Sequence, residues 1–532
     1  MSRRRRSPFF WLLILAGIGL GVWWILTVPY APRHMYRAIP ANANFVSAHY
    51  NLAARWDSFS KNPLTQSLFS SLGIKPAELQ DLGKDPESAC WLKRLASRDV
   101  VLAYVPVLGD TGRPVWVFAS WLGGDSQRLR WNLLLRRVPG FIRLSPYRGR
   151  FCWIVRDSSI RSDEVLTIAF VEGMLVGCLS RDSSAIRDVL DTYDGLLPAL
   201  ADKAEFPSSG PWCVDPQAGD RGWVNLAALN PQTSFHPSTL SYEFTSLTPS
   251  AVEGQACGED PFRFAQTAST KVKTSDVEDL FGDLPLAIGL IHSQMVLPMI
   301  ENLDNPAWLR IFGEVIREQK AESIMVAVLG DEFSGRIKGI KVPAIIAGIP
   351  VDNSTNTLAW MKQTLDRLNA KYRWGLIPRE VYANGSTVFA IESTASSFYS
   401  TLTLEEKPAY AICGKWLLLS SNVESLSSLM ARIKQMPTGS EREEPQWKTD
   451  LDSMPAPCFV RINLARGGKT LRLALTTYAL KLLLEDAQGT LGVRQRLNEA
   501  KAWIDSLAPL QTCRFWLRAD GQMMQVRFKA GE

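Results

Sequence analysis

Ser58-Phe59-Ser60-Lys61 has the S-x-x-K spacing in which a serine attacks a carbonyl while a nearby lysine manages its proton. The S-D-N and K-T-G companions of that chemistry are absent from the chain, so the tetrapeptide alone assigns no catalysis. His49 and His292 are a more distinctive polar pair. Each could be a ligand or a general base at the end of a strand. The competing role is structural, with each imidazole hydrogen-bonded to a neighbouring loop. Only four histidines occur, and neither H-x-x-x-H nor H-E-x-x-H spacing offers a zinc site.

The eight cysteines include no C-x-x-C, which disfavours a zinc ribbon or a thioredoxin-like centre. Cys152 with Cys178, and Cys458 with Cys513, are candidate disulfides, because each pair falls on segments that read as strands of one sheet. Most of the tryptophans, Trp116, Trp121, Trp131, Trp153 and Trp223 among them, occupy apolar strand or helix-face positions. That pattern favours core packing over an exposed platform for carbohydrate or peptide. No P-loop, Rossmann fingerprint, G-x-S-x-G or calcium loop is present. The motifs imply no cofactor and no metal, and they lean away from an enzyme.

The elements that must position these residues come in two sets. Phe45 to Phe69 is echoed by Ile288 to Phe312 at an offset of 243, which aligns His49 with His292 and Asn62-Pro63 with Asn305-Pro306. Each copy reads as a strand, a connection, and a helix opened by an Asn cap with Pro at the first position. Further matches follow at offsets of 229 (Pro114 with Pro343, Leu129 with Leu358) and 240. The last aligns the helix stripe Ile186, Val189, Leu190 and Tyr193 with Leu426, Leu429, Met430 and Ile433, behind the caps Asp182 and Asn422. Strands are expected at 100–107, 115–121, 151–155, 165–171 and 175–179, and again at 323–329, 337–347, 388–391, 409–413 and 416–420. Loose sequence should occupy 206–222 and continue from 230 to about 261. Helical sequence from about 469 to 507 and a strand pair at 513–519 and 523–529 should close the chain.

The fold class expected is therefore α+β, with two tandem homologous modules of mainly antiparallel sheet covered by helices on one side. The first module spans 38–270 and the second 271–532, with the boundary in the polar stretch 268–283. At 532 residues the chain needs more than one core.

Charge is informative once located. The net charge is +6, but residues 1–37 carry six arginines and no acid, and without them bases and acids balance at 53 each. Bulk charge thus gives no support for nucleic-acid binding. Arg3, Arg4, Arg5 and Arg6 precede an apolar run from Pro8 to Val28 that includes Trp11, Gly17, Gly21, Trp23 and Trp24. About 20 apolar residues suffice for a helix to cross a bilayer. The arginines should stay cytoplasmic and the later tryptophans should sit at the far interface. Val28-Pro29-Tyr30-Ala31 is a poor signal-peptidase site because prolines crowd it, so an uncleaved signal anchor is expected, followed by a short spacer over 29–38. Gly17 and Gly21 form a G-x-x-x-G that can bring two membrane helices together as a homodimer.

The run Ile39-Pro40-Ala41-Asn42-Ala43-Asn44-Phe45-Val46, just after the apolar segment, resembles the opening of an uncharacterised family of bacterial membrane-anchored envelope proteins with duplicated α+β domains. The resemblance implies a bacterial inner-membrane location, single pass, with the bulk of the chain periplasmic. It supplies no catalytic residues. Together these readings predict a non-enzymatic interaction or scaffolding element of the envelope, whose partners are the membrane and other envelope proteins. The alternatives are an extracytoplasmic hydrolase or peptidoglycan-active enzyme with a cleft between modules, and a lipid- or ligand-binding envelope protein.

Overall fold

The computed structural model describes residues 19, 28–31, 33–71, 75–108, 113–156, 164–203, 206, 220–225, 239–259, 285–293, 295–297, 307–319, 321–330, 335–337, 340–342, 345–351, 354–383, 385–395, 407–420, 422–435, 456–468, 470, 472, 501, 504–505, 507–519 and 523–531. Among the described residues no helix is long and apolar enough to cross a membrane. The anchor expected at 8–28 lies outside them except for Gly19 and Val28. The boundary expected within 268–283, Asn305-Pro306 and most of the helical sequence at 469–507 are likewise outside. The fold is α+β, mostly antiparallel sheet with several helices. The chain divides into two compact units, Met1–Ser60 with Ala77–Thr245, and Lys61–Pro76 with Ser246–Glu532.

The first unit contains β1 (Phe45–Tyr50), β2 (Asp99–Leu108), β3 (Arg113–Trp121), β4 (Phe141–Arg143), β5 (Cys152–Val155), β6 (Val165–Val171), β7 (Met174–Ser180), β8 (Asp220–Asn225) and β9 (Thr239–Leu247). Antiparallel pairing runs β9-β8-β1-β2-β3-β7-β6-β5-β4. The β6–β7 hairpin turns on Glu172 and Gly173, both with positive φ, as a two-residue turn matched to strand twist requires. Helices cover both faces of this sheet, not one. Ile186, Val189 and Leu190 of the helix Ala185–Tyr193 bury against Val101, Val117, Ala169, Val176 and Cys178. Leu129 and Leu133 of the helix Asp125–Leu134 bury against Trp153, Ile168, Phe170 and Leu175 on the other side. Successive side chains point to opposite faces, and the central strands are apolar almost throughout, so each face needs its own helical cover.

The second unit contains β10 (Ala251–Glu259), β11 (Pro285–His292), β12 (Ser323–Leu329), the hairpin β13 (Gly335–Ile337) and β14 (Ile340–Val342), β15 (Ile345–Pro350), β16 (Leu376–Ala383), β17 (Ser386–Ser393), β18 (Ala409–Cys413), β19 (Trp416–Ser420), β20 (Cys458–Asn463), β21 (Thr512–Ala519) and β22 (Met523–Gly531). Its main sheet runs β10-β22-β21-β20-β11-β12-β15-β19-β18-β17-β16, again antiparallel throughout. From β11 to β16 this is the order that runs from β1 to β4 in the first unit. One face packs on Leu426, Leu429 and Met430 of the helix Val423–Gln435. The other packs on Ile311, Phe312 and Val315 of Ala307–Gln319 and on Met361, Leu365 and Leu368 of Ser354–Tyr372.

The cap residues act as their types suggest. Asn62 Oδ1 accepts the Leu64 N–H at 2.9 Å, and its Nδ2 donates to the Thr248 and Ala251 carbonyls. Asn422 Oδ1 accepts from Glu424 N at 2.8 Å, and Asp182 Oδ1 from Ser184 N at 2.9 Å. Three expectations need correcting. The sequence from 239 to 259 is not loose but forms β9 and β10, whose polar alternation hides them. The connection after β1 is a helix, Leu52–Lys61. The spacer at 29–38 is no free tether. Val28 and Ala31 pack against the first core, Met35, Tyr36, Ala38 and Ile39 are buried in it, and Tyr30 meets the Trp121 ring edge-on at 5.7 Å.

Candidate functional site

β1 lies inside its sheet, between β2 and β8. Val46 and Ala48 face the core under the helix Ala185–Tyr193, so Ser47 and His49 point to the opposite face. Ala48 pairs with Arg221, which sets the next residues, His49 and Asp220, side by side. After β1 the chain turns at Asn51, whose φ of 47° lies in the left-handed region that Asn tolerates. That turn starts the helix Leu52–Lys61 and folds Arg55 back, so its Nη2 donates to the Tyr50 carbonyl at 2.7 Å.

Four side chains converge. Ser47 Oγ is 2.7 Å from His49 Nε2, and His49 Nδ1 is 2.7 Å from Asp220 Oδ1. Arg55 grips the same carboxylate with two donors, Nη1 to Oδ2 at 2.8 Å and Nη2 to Oδ1 at 2.9 Å. The Asp220 side chain is 3% exposed and that of His49 13%. Burial by itself would raise the Asp220 pKa, but hydrogen bonds from His49 and Arg55 outweigh it and hold the carboxyl at about 2. An ionised Asp220 fixes the imidazole tautomer. Nδ1 carries the proton it donates, which leaves Nε2 to accept from the Ser47 hydroxyl. Phe59 meets the His49 ring edge-on at 5.5 Å, and Trp56 lies against Phe59 at 5.7 Å. On the other side Tyr242 reaches across Gly222 to hydrogen-bond Ser47, and burial pushes its phenol up.

This is the bond order of a serine-hydrolase triad, without the rest of the machinery. A triad needs a nucleophile open to substrate and N–H donors aimed where an oxyanion forms. Ser47 is 7% exposed and sits mid-strand, opposite Leu102 on one side and Gly222 on the other. The neighbouring backbone belongs to the ladder rather than to a free donor nest.

His292 points the other way from its sheet. Ile288 and Leu290 face the core of the helix Val423–Gln435, and alternation puts His292 on that face, whereas His49 lies away from the corresponding core. An offset that preserves spacing but slips one residue against the sheet inverts the face. His292 is buried, its backbone N–H donates to the Pro457 carbonyl at 2.8 Å, and burial lowers the imidazole pKa despite the charge of Glu322. Ser58 and Lys61 both lie on the helix Leu52–Lys61, with Lys61 exposed at its last residue.

The disulfide pairings do not form: Cys152, Cys178, Cys458 and Cys513 are all free thiols. Cys152 pairs with Ala169 and Cys178 with Thr167, so β6 stands between them. Cys458 and Cys513 are on adjacent strands, but Cys513 is opposite Ile462, four residues from Cys458. Both separations exceed the Cα reach of a disulfide, about 7 Å at most. Burial pushes Cys178 and Cys458 up to about 12, so neither is a ready nucleophile. Among the described residues no group of three or more His, Cys, Asp or Glu is placed to hold a metal.

The sequence pointed to His49 but missed Ser47, Arg55, Asp220 and Tyr242. Asp220 opens Asp220-Arg221-Gly222-Trp223-Val224-Asn225, where an apolar pair follows a charged start in a Pro/Gly-rich stretch. A short strand beginning with a carboxylate was the available signal. No family model matches the chain, and no curated protein or solved structure matches it either.

Proposed function

We propose that this chain is a membrane-anchored, extracytoplasmic protein of the bacterial envelope, built from a duplicated α+β module, that works by binding rather than by catalysis. The shared strand order from β1 to β4 and from β11 to β16 supports duplication. The arginines before an apolar run at 8–28 support the anchor. One observation carries the non-enzymatic reading: the Ser47–His49–Asp220 series is sealed. Its serine is buried in a strand paired on both sides and covered by Tyr242, and its aspartate is clamped by Arg55. The cluster then serves as an internal tie between β1, β8 and the helix Leu52–Lys61. The bond order itself favours a second reading, an extracytoplasmic hydrolase. A fluorophosphonate probe on the full chain in detergent separates them. No labelling is expected. Labelling that disappears in Ser47→Ala replaces the binding reading with the hydrolase.

A further inference from the structure

We infer that the arginine-rich face of the first unit, running from the helix Asp125–Leu134 through Arg143, lies on the bilayer surface and binds anionic phospholipid headgroups. The inference rests on the membrane anchor proposed above. Val28, the last residue of the apolar run, is packed on the β6–β7 turn: a Cβ on Gly173 would fall 2.5 Å from Val28 Cγ1. The anchor therefore leaves the unit at that turn. The Gly173 carbonyl also accepts the N–H groups of Leu122 and Gly123, each at 2.9 Å, and these residues lead directly into the helix Asp125–Leu134. The helix thus begins where the chain meets the membrane.

Its composition suits that position. Residues 125–150 hold seven arginines and one acid, although bases and acids beyond residue 37 balance as a whole. Arg148 and Arg150 are paired with Asp191 and Asp194. Arg130, Arg136, Arg137 and Arg143 make no ion pair among the described residues, and Arg143 lies 4.1 Å over the Phe151 ring. Between these cations large apolar side chains face outward: Trp131 is 61% exposed, Leu135 55% and Ile142 36%. A buried-type indole and leucine held open beside arginines match a bilayer interface, where aromatic rings settle at headgroup depth and guanidinium groups reach phosphates. Basic charge among apolar groups fits a lipid surface better than it fits the phosphate backbone of a nucleic acid.

The test uses the full chain in nanodiscs of phosphatidylcholine, with and without phosphatidylglycerol. A benzophenone amino acid is placed at position 131. Lipid adducts are expected there, with phosphatidylglycerol enriched several-fold over its share of the disc. Combined Arg130→Gln, Arg136→Gln, Arg137→Gln and Arg143→Gln should abolish that enrichment. If the chain enters the disc but position 131 yields no lipid adduct, or only a protein adduct, the inference falls while the anchor stands. If the chain fails to enter the disc, the anchor reading falls and takes this one with it.

Discussion

In the first unit, the face of β1 and β8 that points away from the helix Ala185–Tyr193 carries Ser47, His49 and Asp220, with Arg55 closing over them. In the second unit, the matching face of β11 and β20 carries Ile291, Cys458 and Val460, with Met295 packed among them. The strand order around both is the same. One corner is held by a buried charge network and the other by apolar contact, so the polar cluster is not what the fold demands. It belongs to this corner of the first unit rather than to the strand order. Buried ion pairs often contribute little net stability against an apolar replacement, yet removing one partner is severe. The two corners should therefore answer perturbation differently.

The largest difference is expected from Asp220→Ala, which leaves Arg55 and His49 facing a void. A loss of about 3–5 kcal/mol is expected, read as lost hydrogen-exchange protection in β8 while β20 keeps its own. Equal loss in both units would dissolve the contrast. Acid comes next. Asp220 titrates at about 2 folded and near 3.8 unfolded. Its stabilisation is therefore complete above about pH 4 and disappears as pH falls toward 2, about 2 kcal/mol in all. Asp220→Asn should flatten that limb. The second unit should respond in a different window. The lowered pKa of His292 means the unfolded chain binds the proton more readily, so stability there declines as pH drops below about 6.5.

Gly222→Ala should be third. Its Cβ would lie 1.9 Å from Tyr242 Cζ, so the ring must leave Ser47, at a cost of about 1–2 kcal/mol. Gly289→Ala on β11 meets nothing closer than 3.8 Å and should be neutral. Cys458→Ala, which trims an apolar corner, should cost about 1 kcal/mol. Lys61→Met should change stability by no more than about 0.5 kcal/mol because Lys61 is exposed.

What could be read from the residues was local. The hairpin at 165–180, the stripe Ile186, Val189, Leu190 and the caps Asn62, Asp182 and Asn422 each announce themselves within a few positions. Strands β4, β9, β10 and β16 did not. They mix polar and apolar side chains, and β16 alternates exposed Ile377 with other surface residues. The site was harder still. His49 stands out as a polar residue in an apolar strand, but its carboxylate partner is 171 residues away, and no spacing rule links them. The face error at His292 has a similar origin: sequence offsets measure distance along the chain, while a sheet distinguishes odd from even.

Because β1 is sealed on one side by β8, the earliest strand of the unit completes its pairing only after Asp220 to Val224 have left the ribosome. The β11–β20 pair repeats the delay in the second half. Such long-range closure slows folding. Each sheet thus spends most of its own synthesis with a bare central edge, and a holding chaperone has that long to find it.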